Sequence, residues 1–356
     1  MRVTIVASAG DVRAVEALSV GLSGAGHGVV VAGEESSGGI SIASIAAAAS
    51  GSDAVVGLST ARPWAVSAAE LVGAVGILGG LEPMLPTREF APVVGGVRPP
   101  VKLYGPLGVA SDAVGWVRVG RRVNRARRAV GLARMANPLH QLPILGAWSP
   151  VLVPTPADWD AGRVTVTGEW RVPSDQGWAP DQELEAFLAA GDRPIYVGFG
   201  AITGPEVEYA LEAILEAYAG TYRILLDAGE AESSGRELPE NVHRISSVPD
   251  EWLFSRCGAL VHECGATRAH AAARSGIPSI PVPFTPQQRF WAERLYERGI
   301  ATKPVDPRSG WEAYVPTLRE TVPARELAAA IAAQMAGEDG VATAVAAIQD
   351  LVGSRH

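Results

Sequence analysis

The chain is poor in the residues from which several common functions are built. Its 356 residues include two cysteines, Cys257 and Cys264, which make neither a disulfide framework nor a zinc pattern. The six histidines, His27, His140, His243, His262, His270 and His356, show no ligand spacing, so neither a metal nor another cofactor is expected. Only 19% of the side chains are charged, and 38 acidic against 30 basic residues leave a net charge of −8. That balance lacks the broad basic footprint of a nucleic-acid partner. The weakly polar stretch 65–81 contains Glu70 and several glycines, and it falls short of the roughly 18 apolar residues that a membrane span needs. Met1-Arg2 runs directly into Val3-Thr4-Ile5-Val6, which reads as a buried strand rather than the apolar region of a signal peptide, so a cytoplasmic protein is expected. Neither a Walker A nor a G-x-G-x-x-G fingerprint opens either half of the chain.

What is present is an apolar fraction of 47%, with 40 glycines and 26 prolines set between the apolar segments. The length suggests two domains, each large enough for its own core. Short apolar strands alternate with Ala/Leu-rich helical stretches, the pattern of parallel βαβ units. In the first half, strands are expected at 3–7, 28–32, 53–57 and 76–78, with helices at 12–25, 40–50 and 65–75. The second half restarts the rhythm, with strands at 194–198, 222–226, 242–245, 259–261 and 279–282 and helices at 204–219, 266–275 and 287–298. Residues 153–180 are rich in Pro, Trp and Asp and read as a linker between domains at 1–152 and 181–322. An Ala-rich helical tail occupies 323–356 and is expected to pack back on the first domain. The fold class is α/β, with two doubly wound, Rossmann-like domains expected to face a cleft beyond the carboxyl ends of their strands.

The chemistry concentrates in the second half. The strand at 259–261 ends in His262 and a small-residue turn that opens a helix, whose first free N–H groups form an anion site. Gly265 and Ala266 let a ligand approach the backbone, His262 can donate to a phosphate, and Arg268 in the first turn can clamp one bidentately. Gln287 and Gln288 offer amides suited to sugar hydroxyls. A diphosphate flanked by a sugar suits such a site.

The same residues carry a family resemblance. Ser247-Val248-Pro249-Asp250-Glu251-Trp252-Leu253-Phe254, Val261-His262-Glu263-Cys264-Gly265-Ala266-Thr267-Arg268 and Pro283-Phe284-Thr285-Pro286-Gln287-Gln288-Arg289-Phe290-Trp291 stand in order. They resemble the V-P-H-D-W-L-F, H-H-G-G-A-G-T-T and P-F-F-G-D-Q-P-F-W motifs of the two-domain GT-B sterol and antibiotic glycosyltransferases. Pro156-Ala157-Asp158-Trp159 and the segment from Glu82 to Phe90 resemble two further family stretches. The resemblance implies a metal-independent, inverting enzyme that moves a sugar from a nucleoside diphosphate, UDP or dTDP, to a hydroxyl of a small natural-product acceptor. It implies that Asp11, in the turn Ala7-Ser8-Ala9-Gly10-Asp11-Val12, is the general base. His262 falls on a diphosphate contact, the Gly198-Phe199-Gly200-Ala201 turn on a donor loop, and Gln288 on the glutamine that holds the donor sugar. The backbone at Val248 is the candidate for the nucleotide base, with Ala266, Thr267, Arg268 and Gln287 completing the donor set, whereas Trp252 and Phe254 read as core. Gly10, Trp64, Glu82 and Trp116 are the acceptor-side candidates, with Glu82 in reserve as base. For Asp11 the bland alternative is a helix cap, and for His262 a satisfied core histidine.

The chain departs from the family pattern inside the donor motif. Glu263 stands in place of a histidine, Thr267-Arg268 in place of Gly-Thr, Ala201 in place of serine, Gln287 in place of aspartate and Asp250 in place of histidine. Either the pocket is retuned for another donor or donor use is lost and the chain is a silent helper of a partner transferase; retained His262 and Gln288 favour retuning. The first domain is also short after residue 33, by about one strand-containing unit, which favours a compact acceptor. The basic run Arg118, Arg121, Arg122, Arg125, Arg127, Arg128 and Arg134 reads first as a solvated helix face. Weak peripheral membrane contact and homodimerisation stay open.

Overall fold

The computed structural model describes residues 1–33, 41–92, 99–172, 177–227 and 238–354. The shortened segment at 33–39 therefore lies, beyond Gly33, outside the described residues. The chain divides into two compact units, one of Met1–Val172 with Glu338–His356 and one of Pro173–Gly337.

The first unit is built from β1 (Arg2–Val6), α1 (Val12–Gly24), β2 (Gly28–Ala32), α2 (Ile42–Ala48), β3 (Ala54–Leu58), α3 (Arg62–Val72), β4 (Val75–Gly80), α4 (Tyr104–Ala129), β5 (Ile144–Gly146) and β6 (Val164–Val166). All six strands are parallel, in the order β2-β1-β3-β4-β5-β6. Near-continuous apolar runs such as Ala54-Val55-Val56-Gly57-Leu58, buried throughout, are what a sheet covered on both faces requires. One face packs Val3, Ile5, Val56 and Ile77 against Leu18 and Leu22 of α1. The other packs Val6 and Val55 against Ile42, Ile45, Trp64 and Ala68.

The second unit contains α5 (Gln182–Ala189), β7 (Ile195–Gly198), α6 (Pro205–Tyr218), β8 (Ile224–Asp227), β9 (Val242–Ile245), α7 (Asp250–Phe254), β10 (Ala259–His262), α8 (Ala266–Ser275), β11 (Ser279–Pro281), α9 (Pro286–Glu297), α10 (Thr317–Glu320) and α11 (Arg325–Met335). Its five parallel strands run in the order β11-β10-β7-β8-β9. Strand order reverses at β1/β3 in the first sheet and at β7/β10 in the second. Those reversals leave crevices at the carboxyl ends of the central strands, where open α/β sheets bind ligands.

Two boundaries differ from the sequence expectation. Most of 153–180, read as a linker, packs into the first unit. Val164–Val166 supplies the edge strand β6, Trp159 stands edge-on to Trp148 and Phe90 at 6.3 and 6.0 Å, and Asp158 accepts hydrogen bonds from Thr87 Oγ1 and the Arg88 N–H. The two outlying family-like stretches are thus packing partners of each other. The tail, read as one region, is two helices with different neighbours: α11 packs on α8, while α12 (Gly340–Gly353) packs on α1 in the first unit. No helix of the described residues is long and apolar enough to cross a membrane.

The entry into α12 depends on a glycine. A Cβ on Gly340 would run into the Gly168 backbone and the Glu169 carbonyl oxygen, and Gly168 itself holds φ +99. Gly340→Ala is expected to lower stability by about 1–3 kcal/mol, because backbone cannot yield as a flexible side chain would. Gly337→Ala, with nothing within 4 Å of the added carbon, should stay within about 0.5 kcal/mol of the parent. Chemical denaturation of the two variants checks the contrast.

Candidate functional site

The first unit presents a carboxylate at its strand-order reversal. Leaving β1, the chain turns through Ser8 to Asp11, and leaving β3 it turns at Ser59, whose φ of +41 is unusual for a non-glycine residue. Ser59 Oγ donates to Asp11 Oδ1 at 2.5 Å, and the Ser8 N–H donates to Asp11 Oδ2 at 3.0 Å. Asp11 is 3% exposed, and its side chain makes no cap hydrogen bond to α1. The expected capping role therefore takes another form: the carboxylate closes the short turn before the helix and ties the ends of β1 and β3 together. Gly10 is exposed beside it.

Two further charges approach the same point. Burial raises the Glu82 carboxyl above the usual carboxylate range, with Arg62 opposing and Asp11 adding to the rise. Burial also lowers the Arg62 guanidinium, against the pull of Glu82 and Asp11. Arg62 opens α3, and its side chain, together with Ser59, Trp64 and Trp116, lines a cavity of about 510 Å³. The two tryptophans expected on the acceptor side thus share one cavity within the first unit, whereas Glu82 faces it only through Arg62. Trp64, at 7% exposure, is also a core residue.

The basic run on α4 is not uniformly a solvated face. Arg127 is 2% exposed and donates to Glu70 Oε2 at 2.7 Å, Ser67 Oγ at 3.1 Å and the Ala133 carbonyl at 2.7 Å. Arg122 lies over the Trp64 ring at 5.5 Å and lines the cavity with Arg118.

The second unit carries the residues expected at a donor site. Gly265 caps α8 without a side-chain hydrogen bond, so the first N–H groups of the helix keep their anion-attracting character. Gly200 turns the chain out of β7 with φ +62, and Ala201 beside it is exposed. Ala266 and Thr267 are half-buried in the first turn of α8, and Val248 is half-buried in the loop after β9. Gln287 is exposed. The Gln288 Oε1 atom accepts from the Phe284 and Thr285 N–H groups at 2.9 and 3.0 Å, which makes this glutamine the closing residue of the capping box of α9.

Arg268 and His262, expected as phosphate ligands, both have partners within the chain. The Arg268 guanidinium is ringed by carboxylates: Asp227 at 3.3 Å, Asp250 at 3.5 Å and Glu263 at 3.6 Å. Burial alone would lower its pKa, but Tyr196 and the three acids raise it overall. Three carboxylates to one guanidinium leave formal negative charge where a diphosphate was expected. The Glu263 carboxyl, 10% exposed as a side chain, is pushed up by burial and pulled back by Arg268. One of its oxygens lies 3.3 Å from where a Cβ on Gly265 would sit and 3.5 Å from the same position on Gly200. His262 is fully buried. Its Nδ1 accepts from the Cys264 N–H at 3.2 Å, which leaves Nε2–H to donate to Ser279 Oγ at 2.9 Å. Both ring nitrogens are engaged within the core. Trp252 and Phe254 are packing residues: Phe254 stands edge-on to Tyr196 at 4.8 Å and Trp252 lies 4.8 Å from Trp178. No group of three or more side chains among the described residues could hold a metal ion.

Sequence reasoning missed Ser59, Arg62 and Asp227. Ser59 and Asp227 both lie at the carboxyl end of a central strand, where the strand-order rule directs attention; the neighbouring strands needed to apply it are a tertiary fact.

Comparison with known proteins gives the context. Residues 220–351 match the family described as erythromycin biosynthesis protein CIII-like, C-terminal domain. The chain is 31% identical over 280 residues to a sterol 3-beta-glucosyltransferase of Arabidopsis thaliana, covering 74% of this chain and 43% of that protein. It is 34% identical over 255 residues to the O-mycaminosyltylonolide 6-deoxyallosyltransferase of Streptomyces fradiae, covering 68% of this chain and 58% of that one. It thus spans less than two thirds of either relative. Among solved structures, the glycosyltransferase of kitacinnamycin aligns with TM-score 0.75 at 16% identity over 98% of both chains. VinC, solved with dTDP, aligns with TM-score 0.71 at 17% identity over 99% of this chain and 100% of its own. These structural likenesses carry the fold.

The His262 arrangement predicts a pH dependence. Burial, and then Arg268, lower its pKa to about 3, so the unfolded chain takes up a proton near pH 6.5 that the folded chain refuses. The stability this neutral imidazole provides is complete above that range and is lost as pH falls towards 3. Between pH 7 and pH 5 the loss is about 2 kcal/mol. Denaturation at the two pH values should show a drop smaller by that amount in His262→Asn.

Proposed function

We propose, from its similarity to the sterol and antibiotic glycosyltransferases of GT-B fold, that the chain is one of them and transfers a sugar from a nucleoside-diphosphate sugar to a hydroxyl of a small acceptor seated in the cavity of the first unit. The observation that carries this reading is the hydrogen bond from Ser59, a residue of the cavity wall, to the buried Asp11 carboxylate. An acceptor hydroxyl at that wall is one hydrogen bond removed from a base. As Ser59 Oγ gives its proton to Asp11 it takes one from the acceptor, and the acceptor oxygen then forms a bond to the anomeric carbon. The bond from that carbon to the diphosphate breaks with its electrons on the phosphate oxygen, and the configuration inverts. Trp64 and Trp116 supply the flat apolar walls on which a natural-product skeleton rests. No metal enters the scheme, and UDP and dTDP are the donor nucleotides expected; VinC, of the same fold, was solved with dTDP.

A second reading is favoured by one observation, the enclosure of Arg268 by three carboxylates. Negative charge at the start of α8 opposes a diphosphate, and a chain that keeps the acceptor cavity without using a donor would be a silent binding partner of another transferase.

Two measurements separate these. Asp11→Asn is expected to lower turnover by about 100- to 10,000-fold, the usual worth of general-base catalysis, with acceptor affinity little changed; undiminished turnover would remove Asp11 from the reaction. Glu263→Gln removes one negative charge at ion-pair distance, worth about 1–4 kcal/mol between aqueous and surface dielectric conditions. Its affinity for UDP or dTDP, read by calorimetry, should rise about tenfold or more. No nucleotide binding by either protein is the outcome expected of the silent partner.

A further inference from the structure

The cavity of the first unit is lined by two chemically different groups of side chains. One group is Ser59 and Arg62, the first hydrogen-bonded to Asp11 and the second balanced by Glu82 and Asp11. The other comes from α4, where Arg118 and Arg122, four residues apart, share a helix face. Both of these arginines are exposed, and among the described residues neither has a carboxylate within ion-pair distance. The acid that also lines this part of the cavity, Asp112, is engaged elsewhere: it accepts from Asn137 Nδ2 at 2.8 Å and lies 2.7 Å from His140 Nε2. The Trp64 and Trp116 indoles also line the cavity, and the Arg122 guanidinium lies over the Trp64 ring at 5.5 Å.

We propose that this cavity selects an acidic aromatic acceptor: a planar apolar skeleton with its hydroxyl towards Ser59 and a carboxylate, or another anionic group, towards Arg118 and Arg122. This deepens the acceptor side of the proposed transfer and rests on that reading for the role of the hydroxyl. The half-buried Trp116 indole, with the small exposed part of Trp64, gives a fused ring its apolar contact. Two guanidiniums without carboxylate partners hold the anion through charge-assisted hydrogen bonds, about twice as strong as neutral ones. A volume of about 510 Å³ is in the range of small-ligand sites.

The test needs no donor. Calorimetric titration with 6-hydroxy-2-naphthoate and with its methyl ester, which keeps the ring and hydroxyl and loses the charge, compares the two directly. The acid is expected to bind about tenfold tighter or more, with an advantage that shrinks as salt is added. In Arg118→Gln/Arg122→Gln the acid should fall to the affinity of the ester while the ester is unchanged. Arg118→Gln alone, which leaves the Arg122–Trp64 contact in place, should remove part of the preference. Equal or tighter binding of the ester, or no saturable binding of the acid up to millimolar concentration, overturns the proposal. Failure of every nucleotide sugar to give product bears on the transfer and leaves this result standing, whereas turnover confined to neutral acceptors overturns the acidic acceptor and leaves the transfer intact.

Discussion

Reversal of strand order, once between β1 and β3 and once between β7 and β10, is the constraint from which Asp11, Ser59, Gly200, Glu263 and Arg268 take their places. A parallel strand must be followed by a crossover, and neighbouring crossovers that leave in opposite directions open a gap at the carboxyl ends. Asp11 and Ser59 meet over one such gap, and Gly200, Glu263 and Arg268 gather at the other. The buried apolar strands fix these positions to the rigid part of each unit, so the polar side chains at the strand ends are held without long loops.

The two gaps are furnished differently. In the first unit, a buried acid that accepts from a wall hydroxyl and from the Ser8 N–H sits next to a cavity lined by indoles and guanidiniums. In the second, the helix start that should attract an anion faces carboxylates supplied by the chain itself. Charged groups removed from water are stable only when paired, and Arg268 is the pairing group for Asp227, Asp250 and Glu263 together. The guanidinium expected at a phosphate also serves as counter-ion to acids that the sequence places in three separate segments.

Much of this was legible in the sequence. Uninterrupted apolar strands followed by Ala-rich amphipathic stretches specify parallel βαβ units, and the ordered motifs from Ser247 to Trp291 specify the family. Less legible was anything decided by partners distant in sequence. Ser59 lies 48 residues from Asp11, and Asp227 lies 41 from Arg268. The motif histidine His262 has its ring nitrogens satisfied by Ser279 and by the Cys264 backbone, a local fit that composition and spacing do not encode. Arg127 looked like one more solvated arginine until Glu70 and Ser67 were placed beside it. The stretch 153–180 was mistaken for a linker because a three-residue edge strand and a buried Trp159 leave almost no periodic signal.

The proposed transfer is a single displacement in which a carboxylate of the first unit, reached through a wall hydroxyl, takes the proton of the acceptor. The anomeric configuration of the product, determined by NMR from a donor of known configuration, tests it most directly. Inversion is the predicted result; retention would contradict the account, because it requires a covalent or internal-return step that the Asp11–Ser59 pair does not provide.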